Sequence, residues 1–139
     1  MKLLFVGLII SSAFLSFSTQ EPTTSNTKLI EGMYKGIYKT NAMPSSINDY
    51  RISVIAIDDS IIEISPLIPN QTISFRVIVE PANDEIDSRG NPVMLNFKSP
   101  TANFDRKGYF YPASGILHYS FQGAITDKSN FEIFTGEKE

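Results

Sequence analysis

The sequence contains no cysteine, and this absence excludes several kinds of structure at once. Without cysteine there are no disulfide bonds, no thiolate metal sites and no lipid attached through a cysteine side chain. A domain with neither disulfide nor metal has to be stabilised by burial of apolar side chains. Once an N-terminal signal is set aside, about 120 residues remain, which is enough for one core and too few for two.

Histidine is nearly absent as well, because His118 is the only one in the chain. Most nucleophile-base arrangements use a buried, oriented imidazole. Alternation along its strand places His118 on the solvent-facing side, and no motif joins it to Ser114 or Asp127, its neighbours in sequence. We therefore expect a protein that is not an enzyme, with no cofactor and no metal site.

Positive charge is also scarce, with 12 Lys and Arg residues against 15 Asp and Glu and a formal net charge of -3. Nucleic-acid binding relies on clustered basic residues, and attraction to anionic lipid surfaces has the same requirement. The composition therefore predicts no nucleic-acid partner and no binding to anionic membranes. The remaining candidates are a small molecule or another protein.

The sequence has a single long apolar run, Leu3 to Phe17, which follows the positively charged Lys2. The run is short for a membrane span, and the small residues Ser16 and Ser18 come where a signal peptidase reads. We expect a cleaved signal peptide at residues 1–18, with an uncleaved anchor as the alternative. Either a periplasmic or an extracellular location is consistent with this signal.

The residues after the signal divide into two parts. Residues 19–29 are polar and without periodicity, which predicts a tether, and residues 30–139 form the folded domain. No apolar segment long enough for a membrane span follows the signal. Removal of Lys2 with the signal changes the formal charge from -3 to -4. We expect the mature protein to be a monomer.

The folded domain alternates apolar and polar residues, and none of it sustains the helical period of 3.6 residues for three turns. The plainest alternating segments are Thr72 to Glu80 and Leu117 to Gln122. Eight such segments follow one another through turns and loops, which predicts antiparallel neighbours. The fold class is therefore all-β. We predict an eight-stranded antiparallel up-and-down barrel, with a two-sheet β-sandwich as the alternative. The barrel is favoured because the first and last strands both carry inward aromatic residues and can pair, which removes exposed edges.

Alternation also predicts which side chains point inward. The set is bulky, and an eight-stranded barrel is only just wide enough for its own side chains or one small ligand. We therefore expect a largely filled core, with any pocket small, apolar and near one end. The predicted inward set includes Ile73, Val93, Tyr109, Tyr111, Phe131 and Ile133.

Aromatic side chains suggest one candidate ligand site. An aromatic pocket near one end of the barrel would hold a small apolar molecule. The alternative is that the same residues simply fill the core, since aromatic residues favour strands. The candidates are Tyr34, Tyr38, Phe97, Tyr109 and Tyr111.

Two loops suggest the other class of function, a structural or protein-interaction module with a filled core. Loop 81–92 is the most polar part of the domain, and loop 99–107 is the second candidate. Loops held by a rigid scaffold often carry recognition. Part of loop 81–92 has the oxygen donors of a calcium loop, but Arg89 has the wrong charge for a ligand position. The candidate partner-binding residues are Asp84, Glu85, Asp87 and Arg89.

Three short segments carry a resemblance to a known family: Gly32-Met33-Tyr34, Gly36-Ile37-Tyr38 and Phe134-Thr135-Gly136. With the strand lengths over Ile30 to Lys138, they resemble the small secreted lipocalin-like (calycin) domains of bacteria. The resemblance implies a closed eight-stranded barrel that binds a small apolar molecule at one mouth. Lipocalins usually have a tryptophan where this chain has Tyr34, covered by a basic residue from a late strand. Here the tryptophan is absent, and no late arginine is present for that role.

Overall fold

A computed structural model describes residues 24–67, 74–124 and 131–139 of the chain. The predicted signal peptide, the beginning of the predicted tether, Ile73 and Asp127 lie outside these ranges. Within them, no helix has the length and apolar character needed to cross a membrane. The described chain consists of one short helix, α1 (Asn26–Ile30), and eight strands. The strands are β1 (Gly32–Thr40), β2 (Ile47–Ala56), β3 (Ile61–Pro66), β4 (Phe75–Pro81), β5 (Leu95–Lys98), β6 (Phe104–Tyr111), β7 (Ile116–Ala124) and β8 (Phe131–Lys138).

The eight strands form a closed antiparallel barrel in which each strand pairs with the next and β8 pairs with β1. The predicted up-and-down barrel is therefore confirmed, and the sandwich alternative is not. The β1–β8 pairing runs from Tyr34 opposite Lys138 to Thr40 opposite Glu132. Because it satisfies the backbone of both terminal strands, neither is left as a free edge.

The interior of the barrel is filled with large apolar side chains, as the alternation predicts. Inward residues of consecutive strands lie in continuous rows, since residues directly opposite each other share a face. One such row joins Phe97, Gly108, Tyr119, Phe134 and Tyr38 across four strand pairs. The buried core consists of Ile30, Tyr34, Tyr38, Tyr50, Ile52, Val54, Ile62, Ile64, Phe75, Val77, Val79, Leu95, Phe97, Phe110, Leu117, Tyr119, Phe121 and Phe134.

On β6 the predicted inward face is wrong. Tyr111 is 38% exposed and Tyr109 is half-buried on the outer face, whereas Phe110 is buried in the core. The three aromatic residues are consecutive, so alternation of apolar and polar types does not select between the two faces. Pairing with β7 decides, because Phe110 lies opposite the buried Leu117. The outer face also gives the tyrosine hydroxyls access to water.

On β8 the predicted face is wrong for the same reason. Phe131 and Ile133 are only half-buried, whereas Phe134 is fully buried. Ile133 and Phe134 are adjacent in sequence, so the apolar pattern fits either face. Phe134 lies opposite Tyr38 on one side and Tyr119 on the other, and both are buried.

Two boundaries near β5 also differ from the prediction. Val93 is 38% exposed and precedes the strand instead of pointing inward. The predicted loop 99–107 is shorter than expected, because β6 already begins at Phe104. The last four residues of the predicted loop alternate less clearly between apolar and polar types than the other strands do. They form the start of β6 because they pair with β7.

Helix α1 covers one end of the barrel, which we call the α1 end: β1, β3, β5 and β7 begin there. The helix packs against β2 and β4, with Thr27 and Ile30 fully buried. Thr27 Oγ1 donates a hydrogen bond of 2.7 Å to the carbonyl oxygen of Asp58, and the Tyr34 hydroxyl donates one to the carbonyl oxygen of Ile30. The predicted tether is therefore wrong for residues 26–29, which are helical and fixed to the barrel.

Closure of the barrel places two glycines face to face. Gly36 on β1 lies directly opposite Gly136 on β8. A Cβ atom on Gly136 would lie 2.5 Å from the tip of the Phe134 ring and 2.7 Å from the carbonyl oxygen of Lys35. A Cβ on Gly36 would overlap the backbone of Thr135. The absence of side chains at this pair leaves room inside the barrel for the neighbouring aromatic rings.

This close packing gives a test of the closure. Gly136→Val places a branched side chain against a backbone and a buried ring, so we expect a loss of about 1–3 kcal/mol in the free energy of unfolding. Glu137→Val adds the same side chain at the adjacent, exposed position and is expected to change it by less than about 0.5 kcal/mol. Urea unfolding of the three proteins measures both changes. Equal stability of the two variants would contradict the inward position of Gly136.

Candidate functional site at the Arg106 end

The two ends of the barrel differ in how completely the core is covered. At the end opposite α1, which we call the Arg106 end, β2, β4, β6 and β8 begin. The most exposed members of the apolar core lie there: Phe121 at 9%, Phe75 at 8% and Tyr38 at 6%. Near the α1 end, Ile30 and Tyr34 are 0% exposed. The core is therefore slightly less completely covered at the Arg106 end.

Arg106 is an inward-facing charge at this end. It lies directly opposite Phe121 on β7 and precedes the inward positions Gly108 and Phe110 on its own strand. Its guanidinium carbon is 4.7 Å from the centre of the Phe104 ring, 5.4 Å from that of Phe75 and 5.6 Å from that of Phe121. These distances are those of cation-π contacts, which are strengthened when water is excluded.

The rings beneath the guanidinium form one connected cluster. Phe75 meets Phe121 edge-on, with ring centres 4.0 Å apart, and also meets Tyr119 edge-on at 5.4 Å. Because β4 and β7 are not neighbours in the barrel, these contacts cross its interior. The cluster therefore forms an apolar floor below Arg106.

The rings on the β1 and β2 side of the same end are stacked. Tyr38 and Tyr50 lie almost parallel, with ring centres 4.2 Å apart and an interplanar angle of 10°. Glu132 occupies the inward position opposite Phe121 on β8 and carries a carboxylate close to these tyrosines. Phe121 thus separates a positive residue on β6 from a negative residue on β8.

Burial and charge change the acidity of these groups. Burial, and then the Glu132 carboxylate, raise the pKa of Tyr50 to about 12. The same two causes place the pKa of Tyr38 above its ordinary range. Partial burial lowers the pKa of the Arg106 guanidinium, although an arginine stays charged at neutral pH. At neutral pH Tyr38 and Tyr50 are therefore neutral, and the inward positions of β6 and β8 at this end carry the cation Arg106 and the anion Glu132.

The five residues predicted for the ligand site do not lie together. Tyr34 belongs to the α1 end, where its hydroxyl is already bonded, and Phe97 is 3% exposed in the middle of the core. Tyr109 and Tyr111 lie on the outer surface, 5.3 Å apart. Of the five, only Tyr38 lies at the Arg106 end. Whether any of them contacts a ligand stays a prediction.

The four residues predicted to bind a partner lie in one ordered loop at the α1 end. Asp87 Oδ1 accepts hydrogen bonds from the backbone N–H groups of Arg89 at 2.8 Å and Asn91 at 2.9 Å, and these bonds lower the pKa of Asp87. A bridge between Ile86 and Pro92 narrows the loop into a small hairpin. Across the part of the chain that the structure describes, no three acidic or histidine side chains are grouped to hold a metal ion.

His118 lies on the outer face, as alternation predicts. Its ring stacks on Tyr109 with centres 4.9 Å apart, and Nδ1 is 2.7 Å from the hydroxyl oxygen of Thr135. Partial burial lowers the pKa of His118. The imidazole is thus held by an aromatic ring and a hydroxyl on the barrel surface.

Arg106, Glu132 and Lys138 are inward residues that the sequence reasoning missed. All three lie on the two strands whose face was assigned incorrectly. Had Phe110 and Phe134 been chosen as the inward residues, the same alternation would have placed Arg106, Glu132 and Lys138 inward too. The available signal was the run of adjacent apolar residues on each strand, which marks the assignment as ambiguous.

Comparison of the chain with protein-family models, with curated proteins and with solved structures finds no match in any of the three. The geometry described above is therefore the basis for any assignment of function.

The buried tyrosines predict a specific loss of stability at high pH. Because the folded-state pKa of Tyr50 is raised from about 10 to about 12, the folded protein holds its proton more tightly than the unfolded chain does. This contribution to stability is complete below about pH 10 and is lost as the pH rises towards about 12. Tyr50→Phe removes the titrating hydroxyl and is expected to reduce the loss.

The measurement is the free energy of unfolding in urea at about pH 8 and about pH 11, for wild type and Tyr50→Phe. Each protein is compared with itself at the two pH values, so any constant effect of the substitution cancels. Equal losses in the two proteins would show that Tyr50 does not titrate at the raised value.

Proposed function

We propose that the protein is an exported, monomeric, non-catalytic binding protein of lipocalin-like type, which holds a small apolar molecule at the Arg106 end of its barrel. The observation that carries the proposal is the difference between the two ends. Helix α1 covers the core at one end, where Ile30 and Tyr34 are 0% exposed, whereas Phe75, Phe121 and Tyr38 at the other end keep 6–9% of their surface exposed. Small-molecule sites are typically lined by apolar and aromatic side chains with a few polar groups, and the Arg106 end has both kinds of group.

The covered end supports the lipocalin-like assignment. Lys138 lies directly opposite Tyr34 in the β1–β8 pairing, and its Nζ atom donates a hydrogen bond of 3.0 Å to the carbonyl oxygen of Leu29 in α1. A basic residue of the last strand thus crosses the end of the barrel beside the aromatic residue of the first. Lipocalins have a tryptophan and a late basic residue in these roles, and we propose that Tyr34 and Lys138 correspond to them.

The size of the ligand is limited by the filled core. The ring cluster of Phe75, Tyr119 and Phe121 occupies the interior below Arg106. A ligand therefore rests on this floor and against the stacked Tyr38 and Tyr50 instead of passing through the barrel. This geometry favours a small or flexible molecule over a large rigid one.

Native mass spectrometry of the mature protein from its own host tests whether such a molecule is retained. We expect a native mass that exceeds the denatured mass by that of one small organic molecule, whose fragmentation gives its chemical class. Identical native and denatured masses, together with no binding of the added ligand in the next experiment, would contradict the proposal.

The absence of tryptophan from the sequence allows the site to be located. Phe104→Trp places a fluorescent reporter at the Arg106 end, and Tyr111→Trp places one on the outer face near the α1 end. Titration with decanol, a neutral ligand without absorbance of its own, is expected to shift the emission of the first variant alone. A shift in the second variant only would place binding elsewhere.

One observation favours a second candidate, a protein-interaction module that uses loop 81–92. The small hairpin described above presents Ile86 with 67% of its surface exposed, the highest value among the large apolar residues that the structure describes. Asp84, Glu85 and Arg89 surround it in sequence. An apolar side chain on a rigid, charged hairpin is a plausible anchor for a protein surface.

Ile86→Ser tests this second function, because it removes the apolar anchor and leaves the Asp87 hydrogen bonds in place. The wild type and the variant are coupled to beads, exposed to extract of the host, and washed. We expect a partner retained by the wild type and lost from Ile86→Ser, with unchanged melting temperature and unchanged decanol binding. Equal retention by both proteins would count against the loop.

A further inference from the structure

Arg106 differs from the other arginines of the chain in its partners. Arg51, Arg76 and Arg89 each lie within ion-pair distance of a carboxylate, at 2.8, 3.0 and 3.4 Å. Within the described ranges, no carboxylate lies that close to Arg106. Its one hydrogen bond there runs from Nη1 to the carbonyl oxygen of Arg76, over 3.3 Å.

The surroundings of Arg106 make this lack of a carboxylate notable. The guanidinium faces three phenyl rings, so part of its hydration has been given up without compensation by an opposite charge. Its remaining N–H groups are planar donors in a fixed arrangement, which fits the two oxygens of a carboxylate. An anion placed there would gain a charge-assisted, bidentate contact beside an apolar floor.

Glu132 limits what kind of anion this end accepts. It occupies the inward position on β8 on the other side of Phe121 from Arg106. A ligand with a second negative group reaching towards β8 would meet its carboxylate. The arrangement therefore favours a single anionic group, held at the β6 side, with the rest of the molecule apolar.

We propose that the ligand of the Arg106 end is a small amphiphile with one carboxylate, and that Arg106 binds this carboxylate and selects it over neutral analogues. The inference rests on the function proposed above and names the chemical class of the ligand. Phe75, Phe104 and Phe121 keep the guanidinium in place and contact the apolar part of the ligand. Arg106 is the residue that determines specificity.

Decanoate and decanol test this directly, because they share a chain length and differ in charge at neutral pH. Without a cation, the carboxylate would bind more weakly than the alcohol, since its desolvation is more costly. We expect wild type to bind decanoate roughly tenfold or more tightly than decanol, as measured by calorimetric titration of each ligand.

Arg106→Gln removes the charge and keeps a side chain that can still donate to the carbonyl oxygen of Arg76. We expect it to weaken decanoate binding by roughly ten- to a hundredfold and so to remove the preference for decanoate over decanol. Arg76→Gln is the matched control: it removes one positive charge from β4, at the residue next to Phe75, where the side chain faces outward and pairs with Glu63. Its decanoate preference should equal that of wild type.

The outcomes separate this inference from the proposed function. If wild type binds decanol as tightly as decanoate, the inference is wrong and the binding function stands. If neither ligand binds, the inference is wrong, and the binding function is wrong as well when the native and denatured masses are identical. If the preference for decanoate survives in Arg106→Gln, then Arg106 is not the residue responsible.

A measurement on the wild-type protein covers the case in which Arg106→Gln does not fold. The chain has four arginines, Arg51, Arg76, Arg89 and Arg106, so their side-chain Nε–H signals can be resolved by nuclear magnetic resonance. Decanoate is expected to shift the Arg106 signal further than decanol does, and neither ligand is expected to shift the other three signals. An unshifted Arg106 signal at saturating decanoate would overturn the proposal.

Discussion

The pairing of β1 with β8 is the contact on which the rest of this structure depends. It closes the sheet, and closure brings Phe134 between Tyr38 and Tyr119, where all three are buried. The pairing requires two backbones to approach without intervening side chains, which Gly36 and Gly136 allow. An open sheet of the same strands would expose two edges and an apolar face. Closure of the barrel and burial of the core therefore depend on each other.

Closure also gives the barrel two ends with different chemistry. At the α1 end, the polar groups of Thr27, Tyr34 and Lys138 all donate hydrogen bonds to backbone carbonyl groups. They hold the helix over the core and have little capacity left for another molecule. At the other end, Arg106 faces aromatic rings with a single long hydrogen bond. The first end therefore serves stability, and at the second end the Arg106 guanidinium keeps N–H groups that a ligand can use as donors.

Much of the fold followed from the sequence, and the errors have a common cause. On β4, Phe75, Val77 and Val79 alternate with polar or less buried residues, and all three are buried as predicted. On β6 and β8, adjacent apolar residues fit both faces, and the wrong one was chosen. Because of that error, Arg106 and Glu132 were not recognised as inward residues. Of the ligand-site residues predicted from the sequence, only Tyr38 lies at the Arg106 end.

By itself, the sequence determined the strand order, the absence of long helices in the domain and the closed antiparallel barrel, because period-two alternation and turn residues are local properties of the chain. The tertiary structure decided the inward face of β6 and β8. Which alternate residues of each strand point inward depends on the pairing with neighbouring strands, and these pairings include β1 with β8, which are far apart in sequence. It also decided that Arg106 lies among phenyl rings, with no carboxylate from residues 24–67, 74–124 or 131–139 at ion-pair distance. The sequence contains the arginine, but the packing of β4, β6 and β7 places its guanidinium beside Phe75 and Phe121, and these contacts determine which ligands we propose that it binds.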